Sequence, residues 1–117
     1  YLISTADVVP YIKIADICVG DTSSILAECC ALDKPIITFK VDDGKRTVQE
    51  VKQLISQFTT QISSFDELLE KIELLLANPG LKKSERAHAN KVMFDVLDGK
   101  AGLRAANHLK KIFPSLN

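Results

Sequence analysis

Apolar residues along this chain fall into two alternating patterns: short continuous runs of three to five, and longer stretches in which they recur every three or four positions. The first pattern suits buried strands and the second suits helices with one packed face. Tyr1 to Ser4 reads as the end of a strand, and Asp7 to Ala15 as a helix capped by Asp7, with Pro10 in its first turn and Val8, Val9, Ile12 and Ala15 on one side. A strand over Ile17 to Val19, a helix over Thr22 to Leu32 and a strand over Ile36 to Phe39 come next. The helix carries its stripe on Ile25, Leu26, Cys29, Cys30 and Leu32. Past a polar loop at Val41 to Lys45, the spacing of Val48, Val51, Leu54, Ile55 and Phe58 predicts another helix. Thr59 to Ser63 then forms a weakly apolar strand suited to a sheet edge. Ser64 and Glu67 have capping-box spacing ahead of Phe65, Leu68, Leu69, Ile72, Leu75 and Leu76, and Asn78-Pro79-Gly80 stops that helix. Two further helices, Ser84 to Leu97 and Lys100 to Phe113, are separated by Asp98-Gly99.

Strands alternating with helices at these intervals predict an α/β fold: a small three-layer, Rossmann-like domain with a parallel sheet of three or four strands and helices on both faces. The 117 residues, 46% of them hydrophobic, match one domain and leave no room for a second. Fifteen basic and fifteen acidic residues cancel, so there is no overall positive field to gather nucleic acid or an anionic membrane, and anion binding has to be local. No apolar run is long enough to span a bilayer, and membrane association is not encoded in this segment. The three cysteines, Cys18, Cys29 and Cys30, cannot all pair and have no metal-ligand spacing; they read as reduced core residues of a cytoplasmic protein. Beginning at Tyr1 in what reads as the end of a strand, the chain is expected to be the carboxy-terminal part of a larger enzyme.

The strongest candidate chemistry lies where the first complete strand turns into a helix, at Gly20-Asp21-Thr22-Ser23-Ser24. Backbone amides at a helix start lack intrahelical partners and carry partial positive charge, which suits a phosphate. Three hydroxyl groups, on Thr22, Ser23 and Ser24, add donors, and Glu28 lies one turn onward, within reach of a ribose. The same run also serves as a plain helix cap. What favours a ligand is position, since open parallel sheets bind at the carboxyl ends of their strands.

These residues resemble the carboxy-terminal nucleotide-binding half of GT-B-type transferases, most closely the CDP-glycerol glycerophosphotransferase family. The resemblance rests on Ala15-Asp16, the following strand, Asp21-Thr22-Ser23-Ser24, the helix, Leu32-Asp33-Lys34-Pro35 and the apolar strand to Phe39. A second match covers Asp98-Gly99-Lys100-Ala101 with Arg104, a segment shared with UDP-N-acetylglucosamine 2-epimerases. The resemblance implies a nucleoside diphosphate-linked donor as substrate, no cofactor, donor phosphates near Thr22, Ser23 and Ser24, and the ribose near Glu28. Thr22 replaces the aromatic residue usual in the transferases and Glu28 their aspartate.

Lys45 and Arg46, in the loop after Phe39, sit at the same end of the sheet and are possible donor-proximal cations, or simply solvated. His88 and His108 have no partners at metal spacing, and no metal site is expected. No general base or nucleophile pair assembles from the chain. Its catalytic groups are expected on a missing N-terminal domain, and this segment alone is expected to bind rather than turn over. Two alternatives remain: an isomerase half like the 2-epimerases, and a non-enzymatic α/β interaction domain.

Overall fold

In the computed structural model, residues 2, 4, 6–21, 24–40 and 48–116 are described. The strand β2 (Ile36–Phe39) decides the layering, because successive side chains of a strand point to opposite faces. Ile36 joins a buried cluster with Ile12, Leu26, Cys29, Cys30, Phe58 and Ala89. Ile37 joins a second one with Ile62 and Leu75. Two cores on two faces make three layers.

The parallel sheet has the order β1 (Cys18–Gly20), β2, β3 (Thr60–Ile62), with Cys18 level with Ile36 and Ile37 level with Thr60. On one face lie α1 (Val9–Ile14), α2 (Ile25–Ala31), α3 (Gln49–Phe58) and α5 (Lys83–Phe94); α4 (Asp66–Ala77) covers the other. Helix α6 (Ala101–Ile112) follows and buries none of its residues. The expected α/β architecture with helices on both faces is therefore present, with three strands among the described residues. The weakly apolar segment after Phe58 takes the edge position its composition suggests.

Several expectations need correction. Of the strand expected over Tyr1 to Ser4, Leu2 and Ser4 are not in a strand and Leu2 is 97% exposed, while Tyr1 and Ile3 lie outside the described residues. β1 lies one residue later than the apolar run implies, since its pairing ends at Gly20 opposite Thr38. Helix α2 begins at Ile25 rather than Thr22, and the Ser24 hydroxyl makes no capping bond. The reciprocal capping box is not formed: Glu67 accepts from the Ser63 amide at 3.2 Å and from the Ser64 hydroxyl at 3.4 Å, leaving Phe65 at the N-cap. On α4, Leu75 is buried and Leu68 and Ile72 half-buried, but Phe65, Leu69 and Leu76 face solvent because one sheet face accommodates only one stripe. Helix α5 stops at Phe94, where Asp95 takes a left-handed φ of 58°, so Leu97 lies beyond it.

The Leu32-Asp33-Lys34-Pro35 motif has a structural role at the amino end of β2. Asp33 adopts φ 52°, while its amide bonds the Cys30 carbonyl and that of Lys34 bonds the Cys29 carbonyl, each at 3.0 Å. This is a Schellman termination with Asp where glycine is usual. The Asp33 carboxylate also accepts from Arg86 Nε at 2.8 Å. Arg86 is 1% exposed and donates to the Leu81 carbonyl at 2.7 Å. One aspartate thus ends α2 and anchors α5.

Candidate functional site

Gly20 closes β1 because a side chain there has little room. A Cβ at this position would lie 3.1 Å from Leu26 Cδ2, tighter than ordinary contact, so glycine lets the start of α2 settle against the strand. Asp21 follows and is exposed. Val19, Gly20, Asp21 and Phe39 line a shallow, open hollow of about 480 Å³ at the carboxyl end of β1 and β2. That is where open α/β sheets take ligands.

Of the expected donor-binding residues, Gly20 and Asp21 come together in this hollow. Ser24 stands at the start of α2, exposed, its carbonyl accepting from the Ala27 amide at 3.0 Å. Glu28 lies one turn further, where residues four apart share a helix face, and it is exposed rather than turned into the core. Ser24 and Glu28 are not among the described residues that line the hollow. Thr22, Ser23, Lys45 and Arg46 lie outside the described residues.

Phe39 was not among the expected site residues. As the last residue of β2 it projects to the α4 face, opposite Thr38, and reaches the hollow beside Val19 because α4 packs on β2 and β3 and leaves that part of the face open. Reading alternation to the end of the strand would have found it.

Beneath the turn, Cys18 on β1 and Cys29 on α2 share a hydrogen bond. That bond and the nearby Lys34 cation hold the Cys18 thiol below its ordinary range against the effect of burial. The same bond and burial push Cys29 well above it. Burial pushes Cys30 up to about 11. These thiols tie strand to helix and do not face the hollow. Among the described residues no group of three or more His, Cys, Asp or Glu side chains converges to hold a metal ion, and no helix is long and apolar enough to cross a membrane.

The second motif of the sequence has its own local geometry. The Asp98 carboxylate accepts from the Lys100 amide at 2.9 Å and from Arg104 Nη1 at 2.8 Å, while Gly99 takes φ 71°. These contacts start α6 and hold Asp98 below the usual carboxylate range, chiefly through the Lys100 amide and then through Arg104.

No curated protein and no solved structure matches the chain. The family model described as CDP-glycerol:poly(glycerophosphate) glycerophosphotransferase matches residues 2–111, nearly the whole length, and takes in both the turn after β1 and the Asp98 to Arg104 segment. With the parallel sheet and its strand–turn–helix at the carboxyl end, that match is decisive: the chain belongs to the CDP-glycerol:poly(glycerophosphate) glycerophosphotransferase family.

Proposed function

We propose that this chain is the donor-binding part of a glycerophosphotransferase-type transferase, holding the phosphates of CDP-glycerol or a related nucleotide donor at the turn between β1 and α2. One observation carries the reading: in a chain whose family match runs over residues 2–111, that turn stands at the carboxyl end of a parallel sheet, beside an open hollow. Main-chain amides from Asp21 to Ser24 and the hydroxyls of Thr22, Ser23 and Ser24 bind the phosphates, and Glu28 accepts from the ribose hydroxyls. Lys45 and Arg46, outside the described residues, are further candidates to counter the phosphate charge.

In glycerol phosphate transfer the acceptor oxygen bonds to the distal phosphorus, and the bridging oxygen leaves with the nucleoside monophosphate. Negative charge grows on that bridging oxygen, so fixed amide and hydroxyl donors at the turn lower the barrier by holding it as it forms. The group that activates the acceptor is contributed by the N-terminal domain of the parent enzyme, which completes the cleft; the parent works on the cytoplasmic side, where nucleotide donors are made. The epimerase-like alternative gains no support from the family match. In the full-length enzyme, replacing Ser23 and Ser24 together by Ala should weaken donor binding or turnover by about 1–3 kcal/mol. Unchanged donor kinetics in that variant would remove the hydroxyls from the site.

A further inference from the structure

We propose that Cys18 and Cys29 form an oxidisable pair, a modification site at which hydrogen peroxide converts the two thiols to a reversible disulfide between β1 and α2. Their meeting follows from how the helix lies on the strand. Cys18 opens β1, its amide donating to the Pro35 carbonyl at 2.9 Å, and its side chain packs against the core on the α2 side of the sheet, which includes Cys29 and Cys30. Leu26 packs close to Gly20 at the other end of the strand, so α2 runs back across β1 and brings Cys29 to Cys18, where the two thiols share a hydrogen bond. Cys30, next in the helix, turns its sulfur to the Arg86 carbonyl at 3.5 Å instead. Of the three thiols, these two meet.

The pair is asymmetric in the way such chemistry needs. Cys18 is half-buried and Cys29 buried, so an oxidant arriving from solvent meets Cys18 first. The Lys34 ammonium, anchored on the Lys13 carbonyl at 2.9 Å, lies near the Cys18 sulfur and joins the Cys29 hydrogen bond in favouring its thiolate. That thiolate attacks one oxygen of the peroxide: an S–O bond forms, the O–O bond breaks, and the departing hydroxide takes up the proton that Cys18 released, leaving a sulfenic acid and water. Oxidation removes the charge and the hydrogen bond that held the proton on Cys29. The Cys29 sulfur then attacks the sulfenic sulfur; an S–S bond forms, the S–O bond breaks, and the Cys29 proton leaves with the hydroxide as a second water. Two thiols lose two electrons in all, and one peroxide becomes two waters. The step involves no donor and is independent of nucleotide binding at the turn.

The test treats the native protein with hydrogen peroxide, blocks the remaining thiols with N-ethylmaleimide under denaturing conditions, and maps the unreduced products by mass spectrometry. No lysine or arginine separates the three cysteines, so trypsin leaves them on one peptide; cleavage after Glu28 then parts Cys18 from Cys29 and Cys30 unless a bond joins them. The expected result is a bond that holds the two halves together, is reversed by dithiothreitol, and forms as readily in Cys30→Ser as in the unaltered protein. In Cys29→Ser the Cys18 sulfenic acid, trapped by dimedone, should accumulate several-fold above the unaltered protein. Circular dichroism checks the fold of both variants, and the map of the unaltered protein stands without them. Peroxide that leaves Cys18 free, or carries it to sulfinic acid while Cys29 still reacts with N-ethylmaleimide, would overturn the pair, as would loss of the bond in a folded Cys30→Ser.

Discussion

Cys18 and Cys29 differ because one hydrogen bond between them favours the thiolate on one side and the thiol on the other. Cys18 is held below the ordinary thiol range and is half-buried; Cys29 is pushed up and buried, as is Cys30. Iodoacetamide reacts with thiolates, so brief labelling of the native protein near neutral pH should modify Cys18 first and leave Cys29 and Cys30 largely untouched. Peptide mapping by mass spectrometry reads this directly, and equal labelling of all three would contradict it. Asp98 offers a second check at this scale. Its carboxylate is held below the usual range in the folded chain, so its bonds to the Lys100 amide and Arg104 persist above the unfolded value and are lost only as pH falls through the lower, folded one. A carboxyl carbon titration by NMR should therefore give a midpoint below that of an unperturbed aspartate, and Asp98→Asn should abolish the part of the pH dependence of the α6 start that this carboxylate carries.

Helix ends, more than helix centres, decide how the elements are joined. Arg86 is buried with its guanidinium between Asp33 and the Leu81 carbonyl. Arg86→Leu takes the guanidinium donor from the part-buried Leu81 carbonyl and from the Asp33 carboxylate, which keeps Lys83 at 3.6 Å, and should cost about 1–3 kcal/mol, read as a lower midpoint in thermal or urea denaturation. Asp33→Gly suits the left-handed backbone at φ 52° but leaves the buried Arg86 guanidinium without its carboxylate, so its cost should equal or exceed that of Arg86→Leu. The elements themselves were largely legible in the sequence, because Ile25, Leu26, Cys29 and Cys30, or Leu68, Ile72 and Leu75, repeat at the helical period and Ile36 to Phe39 form one apolar run. Their joints were less so. The Asp33–Arg86 pair spans 53 positions and leaves no local trace. The start of β1 was set by register with β2, and the exposure of Leu69 and Leu76 by the width of the sheet face they would have to cover. Gly20, Asp21, Ser24 and Glu28 could be picked from the strand–turn–helix pattern. Phe39 required knowledge of which face each helix covers.

At the scale of the molecule, the folded mass is uneven. The radius of gyration is 17.2 Å, against about 13 Å for a compact chain of this length, and the extents are 59 × 32 × 30 Å. Helix α6 buries none of its residues: it packs against the short 3-10 turn Pro114–Leu116 and presents Leu109, Ile112 and Phe113 to solvent. Stability of this chain should therefore reside in the two cores flanking the sheet. Leu75→Ala, at a position 2% exposed, should cost about 2–5 kcal/mol, whereas Leu109→Ala, 48% exposed, should change stability by less than about 0.5 kcal/mol. A large loss for Leu109 would mean that α6 is packed more firmly than its exposure implies. Among the described residues, a hollow lies at the carboxyl end of β1 and β2, where the donor is proposed to bind. The most direct measurement there is a titration of CDP into the isotopically labelled protein, following backbone amide signals. Progressive, saturable shifts concentrated at Gly20, Asp21 and Ser24, with smaller ones at Glu28, are the predicted result; amides at that turn that stay fixed at saturating CDP would contradict the donor site.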